Sequence, residues 1–98
     1  MKLTEKEIMK TIELRKGEMR RFGVKKIGLF GSYLKGKAKK TSDVDFLVVF
    51  DKPTFDKYME LKFMLEKMLH KKVDLVIEDN LKPSLCYVKQ EAKYVGKI

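Results

Sequence analysis

Three aspartates sit where aspartate is normally avoided. Asp43 and Asp45 bracket the start of Val44–Phe50 (VDFLVVF), and Asp74 is second in Val73–Ile77 (VDLVI). Both runs are otherwise apolar and rich in β-branched residues, so each reads as a buried strand, a setting that disfavours a carboxylate. In an extended segment residues two apart point to one face, which puts the Asp43 and Asp45 side chains ~6.6 Å apart along the strand. Carboxylates that close raise one another's pKa and do not both stay ionised unaided. A divalent cation is the usual remedy. An oxygen-only donor set favours Mg²⁺ or Mn²⁺, and Mg²⁺ typically takes one or two carboxylates plus substrate phosphates. Asp74 joins the cluster if its strand pairs beside Val44–Phe50. A plainer reading stays open for Asp43, which follows Thr41 and Ser42 and could be a strand-start cap or a lysine partner.

A second constellation precedes the first. Lys26–Phe30 reads as a short strand that runs into Gly31-Ser32. Glycine lets the backbone approach a phosphate, while a serine hydroxyl and neighbouring N–H groups bind its oxygens. Taken alone, Gly-Ser after a strand is an ordinary turn, and the GxxxxGK[ST] pattern of a P-loop is absent. Lys35, Lys37, Lys39 and Lys40 follow with no acidic residue before Asp43. They form either a solvated loop or a positive rim for a triphosphate or acidic partner. Tyr33 reads as an exposed loop residue that could stack on a base.

The elements that must position these groups follow from spacing. Thr4 with Glu7 fits a capping box, and Ile8, Ile12, Met19 and Phe22 recur at rough helical spacing up to Gly23, a natural helix stop. That predicts one helix over 4–22, with Gly17 as a weak point. A possible helical turn opens at Tyr33. Thr54 caps a helix over Phe55–His70, whose stripe of Tyr58, Leu61, Leu65 and Met68 faces a core. In that amphipathic pattern Phe55, Met59, Phe63 and Met64 read as core residues rather than as an interface. Pro83 suits a helix start, Leu85, Val88 and Ala92 suggest a short last helix, and Tyr94-Val95 a terminal strand. The order α-β-(α)-β-α-β-α predicts an α/β (α+β) fold, a small mixed β-sheet flanked by helices. His70 reads as a cation at a helix end, Cys86 as a small packed hydrophobe, and Glu60, Glu66 and Glu78 as surface charges.

Composition narrows the classes. The chain has 98 residues, so a single domain over 1–98 is expected, burying roughly 60–65% of its unfolded surface. One cysteine excludes an internal disulfide and leaves no second thiolate for a zinc site. No run reaches the ~18 apolar residues of a membrane span, and MKLTEKEIMK has no apolar core of a signal peptide. A cytoplasmic protein is expected. Lys+Arg outnumber Asp+Glu by 23 to 14, a net charge of +9. Such a charge attracts polyanions, yet lysine and glutamate enrichment with single Asn and Gln residues is also a thermophile signature. No helix-turn-helix or aromatic RNA-binding motif supports direct nucleic-acid binding.

Gly31-Ser32, ten intervening residues, then Asp43-x-Asp45 is a GS-x10-DxD arrangement, and VDLVI follows. From Gly23 to Ile77 the chain resembles the minimal nucleotidyltransferase (MNT) family of the polymerase-β-like nucleotidyltransferase superfamily. The resemblance implies that fold and a transfer of AMP from ATP to a hydroxyl. It implies that Gly31 and Ser32 hold nucleotide phosphates, that Asp43 and Asp45 ligate two Mg²⁺ ions, and that Asp74 is the third carboxylate, binding metal and drawing the proton from the acceptor. Many members read GSxARG, so Lys35 stands where an arginine is common; it keeps the charge and loses the bidentate fork. The implied partner is a HEPN-domain ribonuclease toxin, modified on a tyrosine, with this chain as its antitoxin. The alternative is an antitoxin that neutralises the toxin by binding alone, its catalysis vestigial. A homodimer or a hetero-complex fits the short chain.

Overall fold

The computed structural model describes residues 3–95. Helix α1 spans Glu5–Leu14 and α2 Lys16–Arg21; β1 is Val24–Phe30, β2 Val44–Phe50, α3 Phe55–Leu69 and β3 Val73–Ile77. Two 3₁₀ turns, Glu78–Asn80 and Pro83–Leu85, lead to α4 (Tyr87–Glu91) and the short β4 (Lys93–Tyr94).

The four strands form one sheet in the order β3-β2-β1-β4. β1 runs antiparallel to β2 and β4, and β2 parallel to β3 with α3 as the crossover, so the sheet is mixed as expected. Val44, Phe46, Val48 and Phe50 of β2 face the helices and join Ile27, Leu29, Val73 and Leu75 in one core cluster with Ile8, Ile12, Met19, Leu61 and Leu65. Each fully buried aliphatic side chain there stabilises the fold by about 1.5–3 kcal/mol. The other parity of the same strands, Asp45, Leu47, Asp74 and Val76, faces away from that core.

Caps form where the sequence predicts them. Thr4 Oγ1 accepts from the Glu7 N–H at 3.3 Å, and Thr54 Oγ1 from the Lys57 N–H at 3.2 Å. The helix expected over 4–22 is instead two. Arg15 leaves helical geometry at φ −109°, ψ 16°, and its N–H bonds back to Ile12 O at 3.0 Å. The polar stretch after Ile12 buries little before Met19, and Gly17 has low helix propensity, so a bend there costs little and returns Met19 to the core. β1 starts at Val24, two residues early, with an irregularity in register between Val24 and Lys26.

α3 also protects the outer edge of β3. The Tyr58 hydroxyl donates to Leu75 O at 2.5 Å, and Glu66 Oε2 accepts from the Val73 N–H at 3.0 Å. These side chains occupy backbone groups that an edge strand would otherwise offer to another chain. Glu66 is thus a backbone cap rather than a free surface charge.

On the face away from the helices Tyr94 lies across Gly28, where an added Cβ would sit 2.8 Å from the ring. The Tyr94 hydroxyl donates to Glu78 Oε2 at 3.0 Å, and Lys26 Nζ lies 4.0 Å from the ring centroid. Burial, the hydrogen bond to Glu78 and the charge of Glu78 push the Tyr94 phenol up to about 12. Glu78 is therefore part of a clasp, which corrects its reading as a surface charge. Gly28→Ala is expected to displace the ring and cost about 1–3 kcal/mol in a denaturant titration; an unchanged midpoint would contradict this packing.

Several further expectations are corrected. Tyr33 is buried, at 6% exposure, because it turns into the core cluster rather than onto the loop surface. Phe55 and Phe63 are 77% and 58% exposed, since α3 turns Leu61, Leu65 and Leu69 inward and these two outward. Met59 and Met64 are half-buried. Cys86 is exposed at the start of the short α4 and packs into no core. The terminal strand is Lys93–Tyr94, one residue earlier than expected, although the Val95 N–H still bonds Ile27 O at 2.9 Å. His70 closes α3 in a left-handed conformation, φ 54°.

Candidate active site

The outward face of the sheet gathers the chemistry-bearing residues at one end. Parallel pairing sets Asp45 directly beside Asp74, and antiparallel pairing sets Asp45 opposite Phe30, the last residue of β1. Directly paired residues share a face, so Asp45 and Asp74 project together. Asp43 lies one residue before β2, exposed. Burial first, then the charges of Asp74 and Asp43, together raise the Asp45 carboxyl from 3.8 to about 6. The three aspartates picked out in the sequence are thus one electrostatic cluster.

The turn after β1 leans on that cluster. Gly31 adopts φ +79°, and a Cβ built on it would overlap Asp45 Oδ2 and lie 2.9 Å from Asp45 Cγ. Only glycine fits on both counts: the left-handed backbone disfavours other residues, and the carboxylate fills the space of a side chain. Gly31 O then accepts from the Lys35 N–H at 3.1 Å, and Ser32 O from the Lys37 N–H at 2.9 Å. Residues 31–37 therefore form one hydrogen-bonded turn, with half-buried Ser32 at its start. Lys35 Nζ lies 3.7 Å from Glu91 Oε2 of α4, both side chains about half exposed. An exposed pair of this kind contributes little stability and exchanges readily for another anion.

Among the described residues no three His, Cys, Asp or Glu side chains converge tightly enough to hold a metal ion by themselves. The donor set still fits a hard divalent cation. It supplies carboxylate oxygens only, and the Asp45 carboxyl is raised first by burial and then by the charges of Asp74 and Asp43, the part that a cation would relieve. Mg²⁺ needs only one or two protein carboxylates when substrate phosphate and water complete its shell. Two concavities, of about 740 and 550 Å³, are lined by other residues, while Asp43 and Asp74 are exposed and Asp45 is half-buried.

Two residues of this neighbourhood escape sequence reasoning. Glu91 meets Lys35 only through the return of the C-terminal segment. The placement of Tyr94 has one signal, Gly28, because a glycine inside a strand often marks the close approach of another group. Among the described residues no helix is long and apolar enough to cross a membrane.

Residues 12–95 match the family described as the nucleotidyltransferase domain. The chain is 46% identical over 96 residues to the protein adenylyltransferase MntA of Thermococcus cleftensis, spanning 95% of this chain and 97% of that one. It is 39% identical over 80 residues to a Methanocaldococcus jannaschii protein provisionally named a protein adenylyltransferase, spanning 80% of this chain and 93% of the relative. A solved structure provisionally assigned as a minimal nucleotidyltransferase superposes with TM-score 0.70 at 34% identity, covering 86% of this chain and 92% of its own. A toxin–antitoxin structure with AMP-PNP superposes with TM-score 0.69 at 26% identity, covering 88% and 73%.

Proposed function

The chain belongs to the nucleotidyltransferase domain family, and on that premise we propose that it transfers AMP from ATP to a tyrosine hydroxyl of a partner HEPN ribonuclease toxin, as the toxin's antitoxin in the cytoplasm. The observation that supports this most is the contact of Gly31 with Asp45, which joins a phosphate-type turn to a carboxylate cluster within one side chain's reach. The relatives named above support the acceptor class, since the MntA relative is named a protein adenylyltransferase and the AMP-PNP structure a toxin–antitoxin.

In this reading the Gly31 and Ser32 backbone and the Ser32 hydroxyl hold the nucleotide's phosphate oxygens. Lys35 leaves Glu91 to meet the phosphates as a point charge. Asp43, Asp45 and Asp74 would hold two Mg²⁺ ions, for which Mn²⁺ could substitute, and the bound metal would supply charge neutralisation for phosphoryl transfer. Asp74 takes the acceptor hydroxyl's proton. The acceptor oxygen bonds to the α-phosphorus, the bond from that phosphorus to the bridging oxygen breaks, and pyrophosphate leaves. Most of the acceleration is positioning and charge neutralisation.

The pairing of Lys35 with Glu91, together with lysine in place of arginine, favours one second reading: an antitoxin that neutralises its partner by contact, with weak catalysis. Intact mass of the co-expressed HEPN partner, after incubation with this chain, ATP and Mg²⁺, separates the two. One or more added AMP groups, lost with EDTA and with Asp43→Ala, are expected. An unchanged mass with a complex that still co-elutes would select the second reading.

A further inference from the structure

The larger concavity, about 740 Å³, lies on the helix side of the same loop and shares no residue with the proposed active site. Lys39, Lys40 and Lys71 rim it, Tyr33 and Leu69 form an apolar floor, and Glu7 stands at one side. By contrast, the 550 Å³ concavity beside β3 has no lysine or arginine in its lining.

The rim is also held in place. The Lys39 N–H donates to Ser42 Oγ at 2.8 Å, while the Ser42 N–H donates to Lys39 O at 2.9 Å. Lys71 Nζ donates to Lys40 O, strapping the loop to the end of α3. His70, which lines the cavity, makes this return possible by adopting φ 54°, alone in positive φ among the described non-glycine residues. Ordering the rim beforehand removes part of the entropic cost of binding.

We propose that this cavity is a second nucleotide site, which binds a nucleoside diphosphate or triphosphate without metal. The lysines suit the phosphates, the aromatic and aliphatic floor suits the base, and Glu7 suits the donors of a base or ribose. The loop that carries Lys39 and Lys40 starts at Gly31-Ser32, so a ligand here braces the turn that leans on Asp45. By linkage, it and a ligand on the carboxylate face then alter each other's affinity equally.

The test is calorimetric titration of ADP in EDTA at low salt, with amide chemical shifts to locate the ligand. Lys39→Gln/Lys40→Gln is expected to weaken ADP roughly tenfold or more. Lys25→Gln/Lys52→Gln, at the opposite end of the sheet, removes the same charge and is expected to leave affinity nearly unchanged. Shifts are expected at Glu7, Tyr33, residues 39–41 and 70–71. The proposal is overturned by absence of ADP binding, by equal losses in the two double variants, by shifts confined to Gly31, Ser32, Asp45 and Asp74, or by binding of a single-stranded oligonucleotide but not ADP.

Discussion

Asp45→Asn is expected to abolish transfer while making the metal-free chain more stable near neutral pH. On the proposed role of Asp45 in holding metal, its loss removes several kcal/mol from the transition state, on the order of a thousandfold in rate or more. The stability effect has the opposite sign because Asp45 is crowded by burial and by Asp74 and Asp43. Its folded pKa, about 6, lies above its ordinary 3.8, so the folded chain holds this proton more tightly than the unfolded chain. That contribution is full below the ordinary value and is lost as pH rises through about 6. Melting temperatures in EDTA are therefore expected to fall for the parent chain across that window relative to Asp45→Asn. Above it, the variant melts higher. Added Mg²⁺ reverses the order, because the cation stabilises only the ionised cluster and releases its proton. A variant that melts lower than the parent at neutral pH in EDTA would refute the crowding.

The same cluster shows what the sequence carries by itself. Asp43 and Asp45 are legible from parity along one strand, and the apolar runs around them announce buried strands. The nearness of Asp74 is conditional on β3 lying beside β2, a fact that no local pattern contains. Contacts of high sequence separation are invisible for the same reason: Lys35 meets Glu91, and Tyr94 meets Glu78 across Gly28, only once the C-terminal segment returns to the sheet. The exposure of Phe55 and Phe63 is hidden because a helical stripe leaves its flanks undecided; the angle at which Leu61, Leu65 and Leu69 dock decides them. Tyr33 illustrates the converse, a residue beside the loop's Ser32 that the core claims. The break at Arg15 is masked because Ile8, Ile12, Met19 and Phe22 keep a nearly helical spacing across it.

Gly31→Ala is expected to be the most damaging substitution that removes no functional group. Two separate costs fall on it. A non-glycine residue at φ +79° is strained by about 1–2 kcal/mol. The new Cβ would also overlap Asp45 Oδ2 and lie 2.9 Å from its Cγ, so either the carboxylate rotates out of the cluster or the turn lifts from the sheet. Crowding of this kind typically adds about 1–3 kcal/mol. Each escape damages the site: the first takes Asp45 from Asp74, the second moves Ser32 and everything bonded behind it through Lys37. Transfer is accordingly expected to fall by roughly a hundredfold or more, as for other losses of preorganised charge stabilisation. A double-mutant cycle separates the two costs. In an Asp45→Ala background the nearest remaining atom is the Cβ at that position, 3.1 Å away, so the steric part largely disappears and only the backbone strain persists. Denaturant titrations of the four chains should then show Gly31→Ala costing clearly less in the Asp45→Ala background than in the parent chain. Equal costs in both backgrounds would mean that the glycine serves its backbone angle alone, and that the fit between the turn and the carboxylate does not constrain this position.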